Sequence, residues 1–170
     1  MTRLLIGNAW FEIHAVTPVD EPAILAVYQQ CEDFLALGPD PHASMAMVRK
    51  DMELSRQDGG IYCGVFAADG RMIGVVDYLP RNFEGASHTA FISLLMIAAP
   101  FRRKGIGTGV VEFVENEIRK DRRITIILSG VQANNDGGLQ FWRKQGYRIV
   151  SEPELQPDRT VAFRLRKDWK

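Results

Sequence analysis

Ala90-Phe91-Ile92-Ser93-Leu94-Leu95-Met96-Ile97, then Arg102-Arg103-Lys104-Gly105-Ile106-Gly107-Thr108-Gly109, then Val110-Val111-Glu112-Phe113-Val114-Glu115-Asn116-Glu117-Ile118 decide how this chain folds. The first run is continuously apolar and predicts a buried strand, and the last has apolar residues at helical spacing. Between them lies a cationic glycine loop. Glycines let the backbone turn tightly and leave no side chains over the first amides of the helix. Those amides lack intrahelical partners and sit at the positive end of the helix dipole. With Arg102, Arg103 and Lys104 beside them, they form a site for a phosphate or pyrophosphate.

Around this unit the rest of the 170 residues falls into place. Phe11 to Val16 alternates and predicts a first strand. Thr17-Pro18-Val19-Asp20-Glu21 carries helix-start chemistry, and 21–36 has helical periodicity until Gly38-Pro39-Asp40-Pro41. A second helix is expected from about His42 to Arg56. Residues 61–67 and 72–78 predict two strands joined through Asp69-Gly70, a hairpin signal. After the strand at 88–97 and the helix at 105–120 come a strand at 124–129, a helix near 136–145, a strand at 147–150 and a closing strand at 160–165. The expected order is β-α-α-β-β-β-α-β-α-β-β, a single α/β domain over 1–170 with no repeat or linker.

Composition narrows the function. Lysine plus arginine and aspartate plus glutamate both total 21, so the net charge is zero and broad binding to nucleic acid or to an anionic membrane is disfavoured. No stretch is long enough to span a bilayer, and the segment Met1–Gly7 is too short for a signal peptide, so the expected location is cytoplasmic. Cys31 and Cys63 are isolated and read as buried free thiols, and His14, His42 and His88 have no metal-ligand spacing. No metal is expected.

Three phosphate-binding patterns compete for the glycine loop. GxxxxGK[ST] is absent. GxGxxG fails because position 110 is valine. The pattern [RQ]xxGx[GA] is satisfied by Arg102, Gly105 and Gly107. About 28 residues further on comes Asn135-Asp136-Gly137-Gly138-Leu139-Gln140-Phe141-Trp142-Arg143-Lys144-Gln145-Gly146-Tyr147. This pair of segments, at this separation and in this order of elements, resembles the GNAT N-acetyltransferase superfamily.

The resemblance implies a mixed, mostly antiparallel central sheet flanked by helices. It also implies acetyl-CoA as co-substrate. The pyrophosphate would sit on Arg102, Arg103, Lys104, Gly105, Ile106, Gly107 and Thr108, and the pantetheine arm along Leu95, Met96 and Ile97. Asn135 would bond that arm or a bound water, or else simply cap a helix. Trp142 stands where the resemblance places a tyrosine that protonates the leaving thiolate; an indole N–H donates but does not give up its proton. Tyr147 reads as core packing, and Ser93 as a core hydroxyl or one that orders a water. Asp77 and His88 are the candidate bases. The loops 37–42 and 151–158 hold four carboxylates and one histidine against no lysine or arginine, which points to a cationic amine, small or on a protein. The loss of the tyrosine keeps a non-catalytic acyl-CoA-binding or sensing domain open as the alternative, and the chain is compatible with a homodimer.

Overall fold

The computed structural model describes residues 1–169. Its strands are β1 (Thr2–Ile6), β2 (Ala9–Ala15), β3 (Ile61–Ala67), β4 (Met72–Leu79), β5 (Thr89–Ile97), β6 (Ile126–Gln132), β7 (Arg148–Ile149), β8 (Glu154–Leu155) and β9 (Val161–Asp168). The helices are α1 (Glu21–Gln29), α2 (Glu32–Leu35), α3 (Met45–Asp58), α4 (Ile106–Ile118) and α5 (Asp136–Lys144). One sheet runs β1-β2-β3-β4-β5-β6-β9-β7, with β8 beside β9. Every neighbouring pair is antiparallel except β5 with β6, whose crossover carries α4. This is the mixed, mostly antiparallel α/β architecture expected.

Besides shifts of up to three residues at other element ends, four features differ from the sequence expectation. The strand expected at 11–16 is present as β2, but a further strand precedes it: β1 and β2 form a hairpin that turns through Gly7-Asn8, and Gly7 has φ +60°. The predicted helix over 21–36 breaks at Cys31, which leaves helical geometry at φ −121° and ψ 20°. Its thiol donates to the Ile97 carbonyl at 3.4 Å, tying the break to the end of β5. The next helix starts at Met45, not His42, because Ser44 caps it by accepting from the Met47 amide at 3.1 Å. The loop 152–158 contains the short strand β8, which pairs with β9.

Each face of the sheet has its own core. On one side Ile106, Val110, Val111, Phe113, Val114 and Ile118 of α4 cover Val65, Ile73, Val76 and Ile92, joined by Trp142, Tyr147 and Leu165. On the other, Ile24, Val27 and Tyr28 of α1 and Val48 of α3 cover Tyr62, Val75 and Met96. The first core encloses an ion pair: buried Glu115 accepts from Lys167 Nζ at 2.8 and 2.9 Å and from the Tyr147 hydroxyl at 3.0 Å. Burial and the neighbouring Glu115 carboxylate push the Tyr147 phenol well above its ordinary range, so it stays protonated and serves as a structural donor.

Removing the shared acceptor leaves the buried Tyr147 hydroxyl and the partly buried Lys167 ammonium without their partner. Glu115→Ala is expected to destabilise the chain by about 3 kcal/mol, seen in thermal unfolding followed by circular dichroism as a fall in Tm on the order of 10 °C.

Candidate active site

β5 and β6 pair over only four positions, from Thr89↔Ile126 to Ile92↔Ser129. Past that point β5 follows β4 as far as Gly74↔Ile97, and β6 follows β9 as far as Gln132↔Ala162. The register slip between Asp77↔Leu94 and Tyr78↔Ile92 leaves Ser93 as the extra residue of β5. Such a bulge bends its strand and increases the local twist, turning β5 away from β6. Ser129 Oγ, donating to the Ile92 carbonyl at 2.9 Å, is the last link before the strands separate.

The wedge between them opens into a cavity of about 1110 Å³ lined by Ser93 to Ile97, Ser129 to Gln132, Asn135, Phe141 and Trp142. The Ala98 amide bonds the Ile73 carbonyl, so ladder alternation turns the N–H and C=O of Leu95 and Ile97 away from β4 and toward the wedge. Met96 is out of phase. Its backbone faces β4, and its side chain is buried in the core beneath α1 and α3.

The glycine loop follows β5 through a turn at Ala99–Phe101. Gly105 (φ +80°) and Arg103 (φ +64°) both take left-handed backbone, which bends the chain sharply into α4. Among the described residues no side chain caps α4, and the amides of Ile106, Gly107 and Thr108 stay free for an anion. A Cβ on Gly107 would stand 3.3 Å from the Phe141 ring, which would have to give by a few tenths of an ångström to admit it. Thr108 Oγ1 accepts from Gln145 Nε2 at 3.1 Å and fixes α5 against the loop.

Arg102 corrects one expectation. Its guanidinium does not face the loop; Nε donates to the Ile97 carbonyl at 2.7 Å, and both terminal nitrogens reach the Asp33 carboxylate in α2. The Asp33 contact holds this guanidinium firmly charged and pulls the Asp33 carboxyl below its usual range. The exposed cations at the loop are therefore Arg103 and Lys104, the latter also resting on the Pro100 carbonyl at 3.1 Å.

The second motif is packed as follows. Asn135 caps α5: its Oδ1 accepts from the Gly138 amide at 2.8 Å. A Cβ at 138 would meet Asn135 Nδ2 at 2.6 Å, so glycine rather than alanine accommodates this cap. Trp142 is 7% exposed and stacks edge-on with Phe141 and Tyr147, at 5.5 and 4.9 Å between centroids. It belongs to the core and reaches the cavity only at its margin.

The wall under α3 is polar. Asp77 is buried and accepts from Ser55 Oγ and Ser93 Oγ, both at 2.6 Å. Burial raises its carboxyl above the usual range, opposed by the two hydroxyls and the Tyr78 amide. Beside it, Tyr28 donates to Asp51 Oδ2 at 2.7 Å and meets the Tyr62 hydroxyl at 2.7 Å. Burial also raises the Asp51 carboxyl. Ser55, Asp51, Tyr28 and Tyr62 were not expected at the site. The detectable signal is that Tyr62 and Asp77 are cross-strand partners, which places two polar residues of apolar strands on one face.

His88 lies elsewhere. It is exposed, precedes β5, and is nine residues from Ile97, a separation of about 30 Å in extended chain. It does not line the cavity, so of the two candidate bases only Asp77 is at the wedge.

The cavity is strongly acidic. Asp33, Asp40, Asp51, Asp58, Asp77, Glu84, Glu154 and Asp158 line it against Lys50, Arg102 and Arg164. Two of those three cations are already paired, Arg102 with Asp33 and Arg164 with Glu84. Gln132 Oε1, also in this wall, is buried with no donor among the described residues, an arrangement that costs about 1–3 kcal/mol unless a ligand supplies one.

Comparison with known proteins agrees with this geometry. The chain is 39% identical over 64 residues to a probable N-acetyltransferase, san, of Drosophila melanogaster, a segment that is 38% of this chain and 35% of that protein. The matched segment thus spans about a third of the relative's length. An acetyltransferase from Thermus thermophilus superposes with a TM-score of 0.77 at 19% identity, covering 94% of this chain and 97% of that one. The yncA protein of Salmonella typhimurium, solved with its cofactor acetyl-CoA, gives 0.68 at 15% identity, covering 93% of each chain. The profile of the Acetyltransferase (GNAT) family matches residues 22–147, through the wedge, the glycine loop and the second motif, and the chain belongs to that family.

Proposed function

We propose that this chain moves an acetyl group from acetyl-CoA to the primary amine of an acceptor that carries positive charge. The observation that supports it most is the wedge between β5 and β6, open beside an uncapped helix terminus and walled by eight carboxylates against three lysine and arginine side chains. The chain's residues fit the donor. Free amides of Ile106, Gly107 and Thr108, with the exposed cations Arg103 and Lys104, suit a pyrophosphate. The backbone edge of Leu95 and Ile97 suits the amides of a pantetheine arm.

Bound acetyl-CoA supplies a thioester carbonyl for the amine to attack and a thiol as leaving group. The chain's part is to hold, orient and discharge the acceptor. An N–H on the wedge edge near Ile97 stabilises developing negative charge on the carbonyl oxygen. Asp77 accepts the amine's proton; burial raises its pKa above the usual carboxylate range and so makes its ionised form a stronger base. Trp142 offers an N–H but no transferable proton, so the thiolate is protonated from solvent. Gln132 Oε1 and the carboxylates of Asp40, Glu154 and Asp158 receive the acceptor's cationic groups.

Two measurements test this reading. In a free-thiol assay across an amine panel, alkyl diamines should outperform neutral and acidic monoamines. CoA binding without amine-dependent thiol release would instead identify an acyl-CoA-binding module. Reversing the loop charges with Arg103→Glu and Lys104→Glu should weaken CoA binding by about 10-fold or more in calorimetry, leaving Tm unchanged because both side chains are exposed.

A further inference from the structure

We propose that the acceptor amine delivers its proton to Ser93, which passes its own hydroxyl proton to Asp77, so that bulge and carboxylate work as a serine–aspartate relay. This rests on the acetyl-transfer reading above and identifies the group that meets the amine.

Asp77 lines the cavity but is recessed in its wall. It is 7% exposed, and each carboxylate oxygen already accepts one hydroxyl hydrogen, Oδ1 from Ser55 and Oδ2 from Ser93. An ammonium group bonding Asp77 Oδ2 directly would compete with the Ser93 hydroxyl for it. Ser93 itself is exposed, lines the cavity and sits where β5 leaves β6. The bulge explains this position: as the extra residue between Ile92 and Leu94, Ser93 has no partner on β4 of its own. Its hydroxyl is free to accept a hydrogen bond from the cavity while it donates to Asp77.

The protons balance. One N–H bond of the ammonium breaks as its hydrogen moves to Ser93 Oγ, and the Ser93 O–H hydrogen moves to Asp77 Oδ2. Serine ends neutral, the carboxylate becomes a carboxylic acid, and the amine gains a lone pair. When the C–N bond forms and the C–S bond breaks, a second proton leaves nitrogen to solvent and the thiolate takes one from solvent. Asp77 then returns its proton to solvent, so that ammonium plus acetyl-CoA gives amide, CoA thiol and one proton. Ser55, on α3, is the positioning residue that fixes the second carboxylate oxygen.

The other ionisable groups of this wall are Asp51 and Asp58 on α3, Tyr62 on β3 and Tyr28 on α1, with Cys63 and Tyr78 behind the sheet. Asp58 repels negative charge on Asp77 and adds to its raised pKa, while Lys50 offsets Asp51. Because the ionised form of Asp77 is the active one, turnover should rise with pH through its pKa.

The test uses the whole chain with acetyl-CoA and an alkyl diamine. Ser93→Ala should lower kcat by about 100-fold with KM for acetyl-CoA unchanged, and Ser93→Thr, which keeps the hydroxyl, should restore most of it. Asp77→Asn, which keeps the size and one acceptor oxygen but cannot take up the proton, should remove the acid limb of the kcat profile. Near wild-type kcat in Ser93→Ala, or an acid limb that survives in Asp77→Asn, would overturn the relay. Infrared titration of ¹³C-labelled aspartate in the protein without acceptor gives a reading that does not depend on the acetyl-transfer assignment. There, loss of the Ser93 donor should raise the Asp77 midpoint further, and an unmoved midpoint refutes the coupling. Absence of diamine-dependent thiol release by the wild type, with the midpoint moved as expected, would refute the acetyl-transfer reading and with it the relay's catalytic use.

Discussion

A parallel strand pair that ends after four residues leaves part of a central strand with backbone donors and acceptors that nothing in the sheet satisfies. In this chain β5 keeps its β4 ladder to Ile97 while losing β6 after Ile92. Backbone groups in such a position need another partner, and an edge inside a sheet is a template for an extended amide-bearing chain. The bulge at Ser93 produces the separation, and Ser129 marks its apex by satisfying the Ile92 carbonyl. The open cavity, the edge of Leu95 and the Ile97 amide left unpaired by the sheet, and the exposure of Ser93 all follow from that one irregularity.

The two cores hold the wedge in shape from opposite faces. α4 is bound to the sheet by its apolar side and by the Glu115–Lys167–Tyr147 cluster, which fixes the helix whose first amides face the loop. On the other face, α1 and α2 are joined to the end of β5 by Cys31 and Arg102, both of which bond the Ile97 carbonyl. Arg102 thus links the α2 turn, through Asp33, to the same strand that borders the cavity. A basic residue that reads as a phosphate ligand is instead a brace, and the phosphate-facing charge passes to Arg103 and Lys104.

The order of the long elements was legible because their signals are local. The apolar run of β5, the helical spacing of α4, the Asp69-Gly70 turn and the spaced pair of motifs each sit within a few residues. The β1–β2 hairpin escaped because its strand is five residues long and its turn, Gly7-Asn8, follows a stretch too short to show periodicity. The break at Cys31 escaped because its cause is tertiary, a contact with Ile97 across 66 residues of sequence. The site divides in the same way. Backbone positions on β5 and the loop could be read from the motif, whereas Arg102 changed role once its partner Asp33 was placed, and Asn135 took the helix-cap role, one of the two readings its position allowed. Ser55 gave no signal, since a serine near a helix end reads as ordinary until Asp77 is brought within 2.6 Å.

One continuous donor site that joins the wedge to the glycine loop is what the proposed reaction requires, and amide hydrogen exchange with and without acetyl-CoA addresses that directly. Such a site predicts slowed exchange on binding at two separated stretches, the Leu95–Ile97 edge of β5 and the Ile106–Thr108 amides of α4, with the β1–β2 hairpin unaffected. Protection confined to the loop, or absent from both stretches, would contradict it.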